Sequence, residues 1–138
     1  MAGYSQRSLA DKLGIKPGAV VTALSPPPAY IKLLAPVPAD VTFVSRLGRR
    51  ARFIHCFVTR RAELAQEFPA LARALADDGM VWISWPKQAA KVETDLTEDV
   101  VRALGLRAGL VDVKVCAVNE VWSGLKFVIR VKDRGEKA

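Results

Sequence analysis

The chain has 138 residues, of which 51% are hydrophobic and 25% charged, so its composition excludes a disordered chain and suits one hydrophobic core. Twenty-one Lys and Arg residues against 14 Asp and Glu residues give a net charge of +7, which favours an anionic partner without identifying one. The sequence predicts no transmembrane helix and no secretory signal, so we expect a cytoplasmic location.

Helices and strands alternate in the first part of the chain. Ser8–Leu13 predicts a short helix with Ser8 as its N-cap, and Gly14 ends it. The apolar, β-branched run Ala19–Leu24 predicts a strand that is buried on both faces. A proline tract ends that strand, and Ala29–Ala35 predicts a second short helix.

The middle of the chain continues the alternation. Val41–Ser45 and Phe53–Thr59 predict the second and third strands, joined by an arginine-rich loop. Apolar residues at spacings of three and four predict an amphipathic helix over Arg60–Ala76. Pro69 should kink this helix or break it into two pieces, and Asp77-Asp78-Gly79 should end it.

The last part of the chain predicts one more strand, a helix and a pair of strands. Met80–Trp85 predicts the fourth strand. Asp95-Leu96-Thr97-Glu98 has the form of a capping box and opens a helix that Gly109 stops. Leu110–Val118 and Leu125–Val131 predict two strands that are close enough in sequence to be antiparallel, with the last near a sheet edge.

This order predicts one α/β domain over residues 1–138, a three-layer Rossmann-like sandwich with a mainly parallel sheet and a final antiparallel strand pair. Open sheets of this kind bind ligands at the carboxyl ends of their strands. In this chain those ends are Ser25–Tyr30, Thr59–Arg61 and Ser84–Lys87.

The helix that ends in Asp77-Asp78-Gly79 before a strand, together with the final antiparallel pair, resembles the class I S-adenosylmethionine-dependent methyltransferases in a shortened form. In that family a glycine-rich loop follows the first strand, and an acidic residue at the end of the second strand binds the cofactor ribose. This chain has Ser25-Pro26-Pro27-Pro28-Ala29-Tyr30 at the first position and Val44-Ser45-Arg46 at the second. Both departures argue against ordinary cofactor binding.

Five motifs carry a second resemblance that runs nearly end to end: Leu9–Gly18, Phe57–Thr59, Trp82–Lys87, Thr94–Glu98 and Val121–Lys126. They look like a family of small uncharacterised bacterial α/β proteins that is classed as a domain of unknown function. This resemblance implies a bacterial cytoplasmic setting and the same fold, and it implies no activity.

Candidate ligand-binding residues follow the strands at the expected edge: Tyr30, Thr59, Arg60, Arg61, Trp85 and Lys87. Arg60 and Arg61 place two cations in the first turn of a helix, where the macrodipole favours anions, so we expect a compensating group. The Trp85 ring and the Lys87 ammonium could hold a flat anionic ligand. In the alternative interpretation the arginines are solvated surface charge and Trp85 belongs to the core.

Six arginines lie between residues 46 and 61 with no acidic residue among them. Arg60 and Arg61 should emerge at the ligand edge, whereas Arg49, Arg50 and Arg52 should enter their strand from the opposite end. The stretch is therefore predicted to form two separate basic patches.

No residue is predicted to be catalytic. The single histidine, His55, lies in the middle of an apolar strand and has no neighbouring carboxylate, which favours a buried structural role over a general base. A metal site is not expected, because His55 and Cys56 are adjacent strand residues that point to opposite faces.

Three functions are compatible with these residues. The preferred one is a non-catalytic protein that binds an anionic small molecule or a protein partner at the strand edge and needs no cofactor, so the chain is not expected to be an enzyme. The second is a diverged enzyme that depends on S-adenosylmethionine or a nucleotide. The third is weak association with nucleic acid through the arginine stretch, which no recognised motif supports.

Overall fold

The structure is a computed structural model that describes residues 7–135. The helices in this range are α1 (Leu9–Leu13), α2 (Tyr30–Leu34), α3 (Arg61–Ala74) and α4 (Glu98–Arg107). The strands are β1 (Val20–Leu24), β2 (Thr42–Val44), β3 (Ala51–Phe57), β4 (Leu75–Pro86), β5 (Leu110–Ala117) and β6 (Trp122–Ile129). None of the helices between residues 7 and 135 has the length and apolar character needed to cross a membrane.

The six strands form one sheet in the order β2-β1-β3-β4-β6-β5. The first four strands of that order are parallel, β6 is antiparallel to β4, and β5 is antiparallel to β6. This arrangement confirms the predicted α/β fold with a final antiparallel pair. The edge strands are β2 and β5, and the last strand, β6, lies next to the edge, between β4 and β5.

Strand residues alternate between two faces of the sheet, and each face has its own buried core. We call the side covered by α1 and α2 the α1–α2 face, where β3 contributes Phe53, His55 and Phe57. We call the other side the α3–α4 face, where β3 contributes Ile54 and Cys56. The two helical layers and the sheet make the predicted three-layer sandwich.

Capping explains where two of the helices begin and end. The Ser8 hydroxyl accepts the Asp11 backbone N–H at 3.0 Å, and Gly14 ends α1 with a φ of 93°, as predicted. The predicted capping box places the N-cap of α4 at Asp95, which is two residues too early. The N-cap of α4 is Thr97, whose hydroxyl accepts the Val100 N–H at 3.2 Å.

The α3 helix is continuous through Pro69, so the predicted break does not occur. Leu64, Phe68 and Leu71 lie on both sides of the proline and are all buried against the same face of the sheet, which stabilises the helix as one piece. The helix ends at Ala74 and β4 begins at the next residue. The predicted helix stop at Asp77-Asp78-Gly79 therefore lies inside β4, in the stretch where its register with β3 shifts.

Candidate functional site

The loop after β1 makes a tight turn without glycine. Ser25 and Ala29 have left-handed backbones, with φ values of 54° and 62°, and three prolines lie between them. A left-handed backbone costs a residue with a Cβ about 1–2 kcal/mol. The sequence had no glycine to suggest this geometry, so reasoning from residue types alone missed it.

Beside this loop lies a cavity of about 390 Å³ between β1, β2 and α2. Ala23, Tyr30 and Phe43 give it an apolar wall, and Lys32 and Ser45 line it with polar groups. Ser45 directly follows β2. It is at the position where the class I S-adenosylmethionine-dependent methyltransferases, which the sequence resembles, carry an acidic residue. The cavity can therefore accept an apolar or aromatic group beside a hydroxyl and an ammonium.

The start of α3 is held by a segment that precedes α4. The Asp95 carboxylate accepts the Arg61 backbone N–H at 2.7 Å, and the Thr94 hydroxyl donates to the Thr59 carbonyl at 2.6 Å. Asp95 is thus the acidic group expected at this cationic helix start. Neither Arg60 nor Arg61 has an ion pair within residues 7–135.

The six predicted site residues differ in accessibility. Arg60 and Arg61 are exposed, while Thr59 and Lys87 are half-buried at the same edge. Trp85 is only 5% exposed and belongs to the core of the α3–α4 face, which leaves little of its ring for a ligand. Their role in ligand binding stays a prediction.

Tyr30, the sixth of these residues, is buried in a chain of polar groups on the α1–α2 face. Its hydroxyl lies 2.7 Å from Nδ1 of His55, and Nε2 of His55 lies 2.8 Å from the Ser84 hydroxyl. His55 and Ser84 have no exposed surface. The prediction of a buried structural histidine agrees with this arrangement.

Burial sets the protonation states in this chain of groups. It lowers the pKa of His55 to about 3 and raises the pKa of Tyr30 above its usual value. The imidazole is therefore neutral at pH 7, with one nitrogen donating and the other accepting. A sequence signal for these contacts did exist, because isolated polar residues inside apolar strands need partners.

No protein-family model and no curated protein matches this chain. Solved structures do match its fold. An S-adenosylmethionine-dependent methyltransferase from Aquifex aeolicus has a TM-score of 0.63 at 16% identity, over 88% of each chain. Magnesium protoporphyrin IX methyltransferase from Synechocystis, solved with bound S-adenosylmethionine, has a TM-score of 0.61 at 14% identity, over 88% of this chain and 74% of that one.

A third match is LepI, solved with S-adenosylhomocysteine and a substrate analogue, with a TM-score of 0.54 at 13% identity. This chain is covered over 88% of its length but spans only 39% of LepI. At such identities the likeness shows a shared fold, that of the class I S-adenosylmethionine-dependent methyltransferases. The second resemblance, to the small bacterial family, finds no support in these comparisons.

The comparisons correct the preferred functional interpretation. The expectation of a non-catalytic binding protein that is not an enzyme is contradicted, because the structural neighbours are S-adenosylmethionine-dependent methyltransferases. They favour the alternative that had been ranked second. The expectation had given too much weight to the missing glycines, although the loop after β1 forms its turn without them.

Proposed function

We propose that this chain is an enzyme of the S-adenosylmethionine-dependent methyltransferase class with a diverged cofactor site. The observation that supports this most is the six-stranded sheet, with parallel strands and an antiparallel β6 next to β4, in a fold that matches the Aquifex enzyme over 88% of each chain. The site would lie at the carboxyl ends of β1, β2 and β3, where open α/β sheets bind ligands.

The residues at this edge fit such a cofactor in shape. The residues Ser25 and Ala29 of the loop have left-handed backbones, and the 390 Å³ cavity beside the loop has room for an aromatic group. The polar groups differ from the family's pattern, since Ser45 offers a hydroxyl where a carboxylate is expected. When bound, S-adenosylmethionine supplies an electrophilic methyl group.

Individual side chains can be assigned roles in this proposal. Ser45 would hydrogen-bond the ribose, and Phe43 would pack against the base. Lys32 lines the same cavity and would repel the sulfonium cation of S-adenosylmethionine more than the neutral sulfur of S-adenosylhomocysteine. The wild type is therefore expected to bind S-adenosylhomocysteine more tightly.

Isothermal titration calorimetry with both compounds tests the proposal. We expect both to bind at a one-to-one ratio, and we expect Lys32→Glu to increase the affinity for S-adenosylmethionine by about threefold to tenfold, since one nearby charge contributes about 1 kcal/mol. Lys132→Glu is the matched control, because it makes the same charge change at an exposed residue outside the cavity. Absence of heat with both compounds at millimolar concentration would contradict the proposal.

A further inference from the structure

A second cavity, larger than the proposed cofactor cavity, adjoins it at residues 43–45. It has a volume of about 1120 Å³ and opens at the amino ends of β1 and β3, the opposite edge of the sheet from the loop after β1. We propose that this cavity binds a small molecule in which two or more phosphates are attached to a planar base, such as a nucleoside triphosphate.

An unusual connection builds one wall of the cavity. β2 and β3 lie on either side of β1, and only six residues, 45–50, join them, without a helix. This segment crosses β1 and carries Arg46, Arg49 and Arg50 along the cavity. Arg50 has a left-handed backbone with a φ of 53°, a conformation that a residue with a Cβ rarely adopts. The crossing segment thus has a rarely adopted backbone conformation at Arg50, and its arginines line the cavity.

The charge in this cavity is strongly one-sided. Its lining includes five cations and one acid: Lys16, Arg46, Arg49, Arg50, Arg52 and Asp78. The acid is shared with one cation only, since Arg52 and Asp78 form an exposed ion pair at 3.4 Å. Within residues 7–135 the other four cations have no carboxylate partner. Several unpaired cations around one concave space suit a ligand with several negative charges, and arginine suits phosphate in particular.

The apolar floor of the cavity is the reason for expecting a planar base in the ligand. Phe43, Phe53 and Met80 contribute apolar side chains to the lining. An aromatic ring and a thioether pack well against a flat heterocycle. A volume of this size exceeds what inorganic phosphate would fill and holds a ligand the size of a nucleotide. An extended nucleic acid strand, by contrast, would need a groove that continues along the surface.

This proposal does not depend on the proposed methyltransferase site. The two cavities share residues 43–45, which include Phe43 and Ser45 of the proposed cofactor site, but Arg49 and Arg50 line the amino-end cavity alone. Substitutions at these two arginines therefore test one site without altering the other. S-adenosylhomocysteine, which has no phosphate, provides a readout that these substitutions should leave unchanged.

The experiment measures binding of adenosine triphosphate, adenosine monophosphate, inorganic tripolyphosphate and a single-stranded oligonucleotide to the full chain at low and high salt. We expect adenosine triphosphate to bind most tightly and to weaken as salt rises. The double variant Arg49→Gln/Arg50→Gln should lose at least about tenfold in affinity, because it removes two charged hydrogen-bond donors to the phosphates. The matched control Arg73→Gln/Arg107→Gln removes two exposed cations outside both cavities and should change affinity by less than about twofold.

Four outcomes would overturn the proposal. The first two are no binding of adenosine triphosphate at low salt, and equal binding to the wild type and the Arg49→Gln/Arg50→Gln variant. The third is equal affinity for tripolyphosphate and adenosine triphosphate, which would mean that the apolar floor contacts no base. The fourth is tighter binding of the oligonucleotide than of the nucleotide, which would assign the arginines to nucleic acid instead. A thermal unfolding curve for each variant shows that the fold is retained.

Discussion

The two faces of the sheet are stabilised by different kinds of contact. On the α3–α4 face, buried aliphatic and aromatic side chains such as Ile83, Leu125 and Phe127 pack closely with the helices. On the α1–α2 face, the core also contains hydrogen bonds that join Tyr30, His55 and Ser84 across α2, β3 and β4. Both faces contain fully buried side chains, and the α1–α2 face depends on keeping the buried imidazole of His55 neutral.

The two faces should therefore respond differently to changes of side-chain volume and to changes of pH. Close apolar packing tolerates changes of pH but not changes of volume. A polar network in which every group is hydrogen-bonded is weakened by protonation and by the loss of a partner. Because hydrogen bonds are directional, such a network also fixes the orientation of the helix that takes part in it. We therefore expect α2, which borders the proposed cofactor cavity, to be positioned more exactly than its five-residue length would suggest.

The largest effect is expected from overfilling the α3–α4 face. A Cβ added at Gly105 of α4 would lie 2.6 Å from Cζ of Phe127, whose ring is fully buried. Gly105→Ala should therefore destabilise the protein by about 3 kcal/mol, measured by urea denaturation. Gly48→Ala is the control, because nothing lies within 4 Å of its added Cβ. Equal stability of the two variants would mean that Phe127 can move aside.

The second-largest effect is a dependence of stability on pH, which we expect to come from the α1–α2 face. The pKa of His55 falls from 6.5 in the unfolded chain to about 3 in the folded one, so the unfolded state binds a proton that the folded state excludes. Stability contributed by the neutral imidazole is complete above pH 6.5 and is lost as pH falls towards 3. Between pH 8 and pH 5 this loss amounts to about 2 kcal/mol.

The same property can be observed directly, because His55 is the only histidine in the chain. Its imidazole NMR signals should show no titration between pH 8 and pH 5 while the protein stays folded. His55→Gln should flatten the dependence of unfolding free energy on pH in that range. A midpoint near 6.5 in the folded protein would contradict the burial of this ring.

A smaller loss is expected at the ends of the polar network. Tyr30→Phe removes a hydroxyl that pairs with Nδ1 of His55 and should cost about 1.5 kcal/mol, since it leaves a buried nitrogen without its partner. Ser84→Ala acts on Nε2 of the same ring. Denaturation of both single variants and the double variant measures their coupling. Strictly additive losses would show that the two hydrogen bonds do not act through a shared imidazole orientation.

The smallest of these effects concerns the start of α3. Asp95→Ala removes the carboxylate that accepts the Arg61 N–H and should cost about 1 kcal/mol. Glu93→Ala removes an exposed acid two residues away and serves as the control, with a change within about 0.5 kcal/mol. Equal losses of unfolding free energy in both variants would show that the carboxylates act through general attraction to the basic surface and not through capping of α3.

Features set by neighbours in sequence were predictable. The caps of α1 and the apolar runs of β1 and β3 depend on residues within a few positions of one another. The role of Asp95 was not predictable in this way, because its partner Arg61 lies 34 residues earlier and meets it only after folding. Its local pattern instead suggested a capping box that Thr97 in fact provides.

The candidate site was predicted less completely for the same reason. The sequence placed Tyr30 at a ligand edge, but its hydroxyl turns to His55 once β1 and β3 pair as neighbours. Trp85 could have faced the ligand or the core, and only the packing of α3 and α4 over β4 selects the core. Arg49, Arg50 and Arg52 line the amino-end cavity and Arg60 and Arg61 do not, as expected for two separate patches. The cavity itself was not predicted, because the crossing segment forms it.

The proline tract after β1 has a consequence for how this edge can move. Three consecutive prolines have their φ angles fixed by covalent rings, so most of the entropy that a glycine-rich loop loses on binding is already absent in the free chain. Such a loop cannot close over a ligand as a flexible one does. Recognition at this edge would therefore be of the rigid kind, with a small entropic penalty and little tolerance for ligands of another shape.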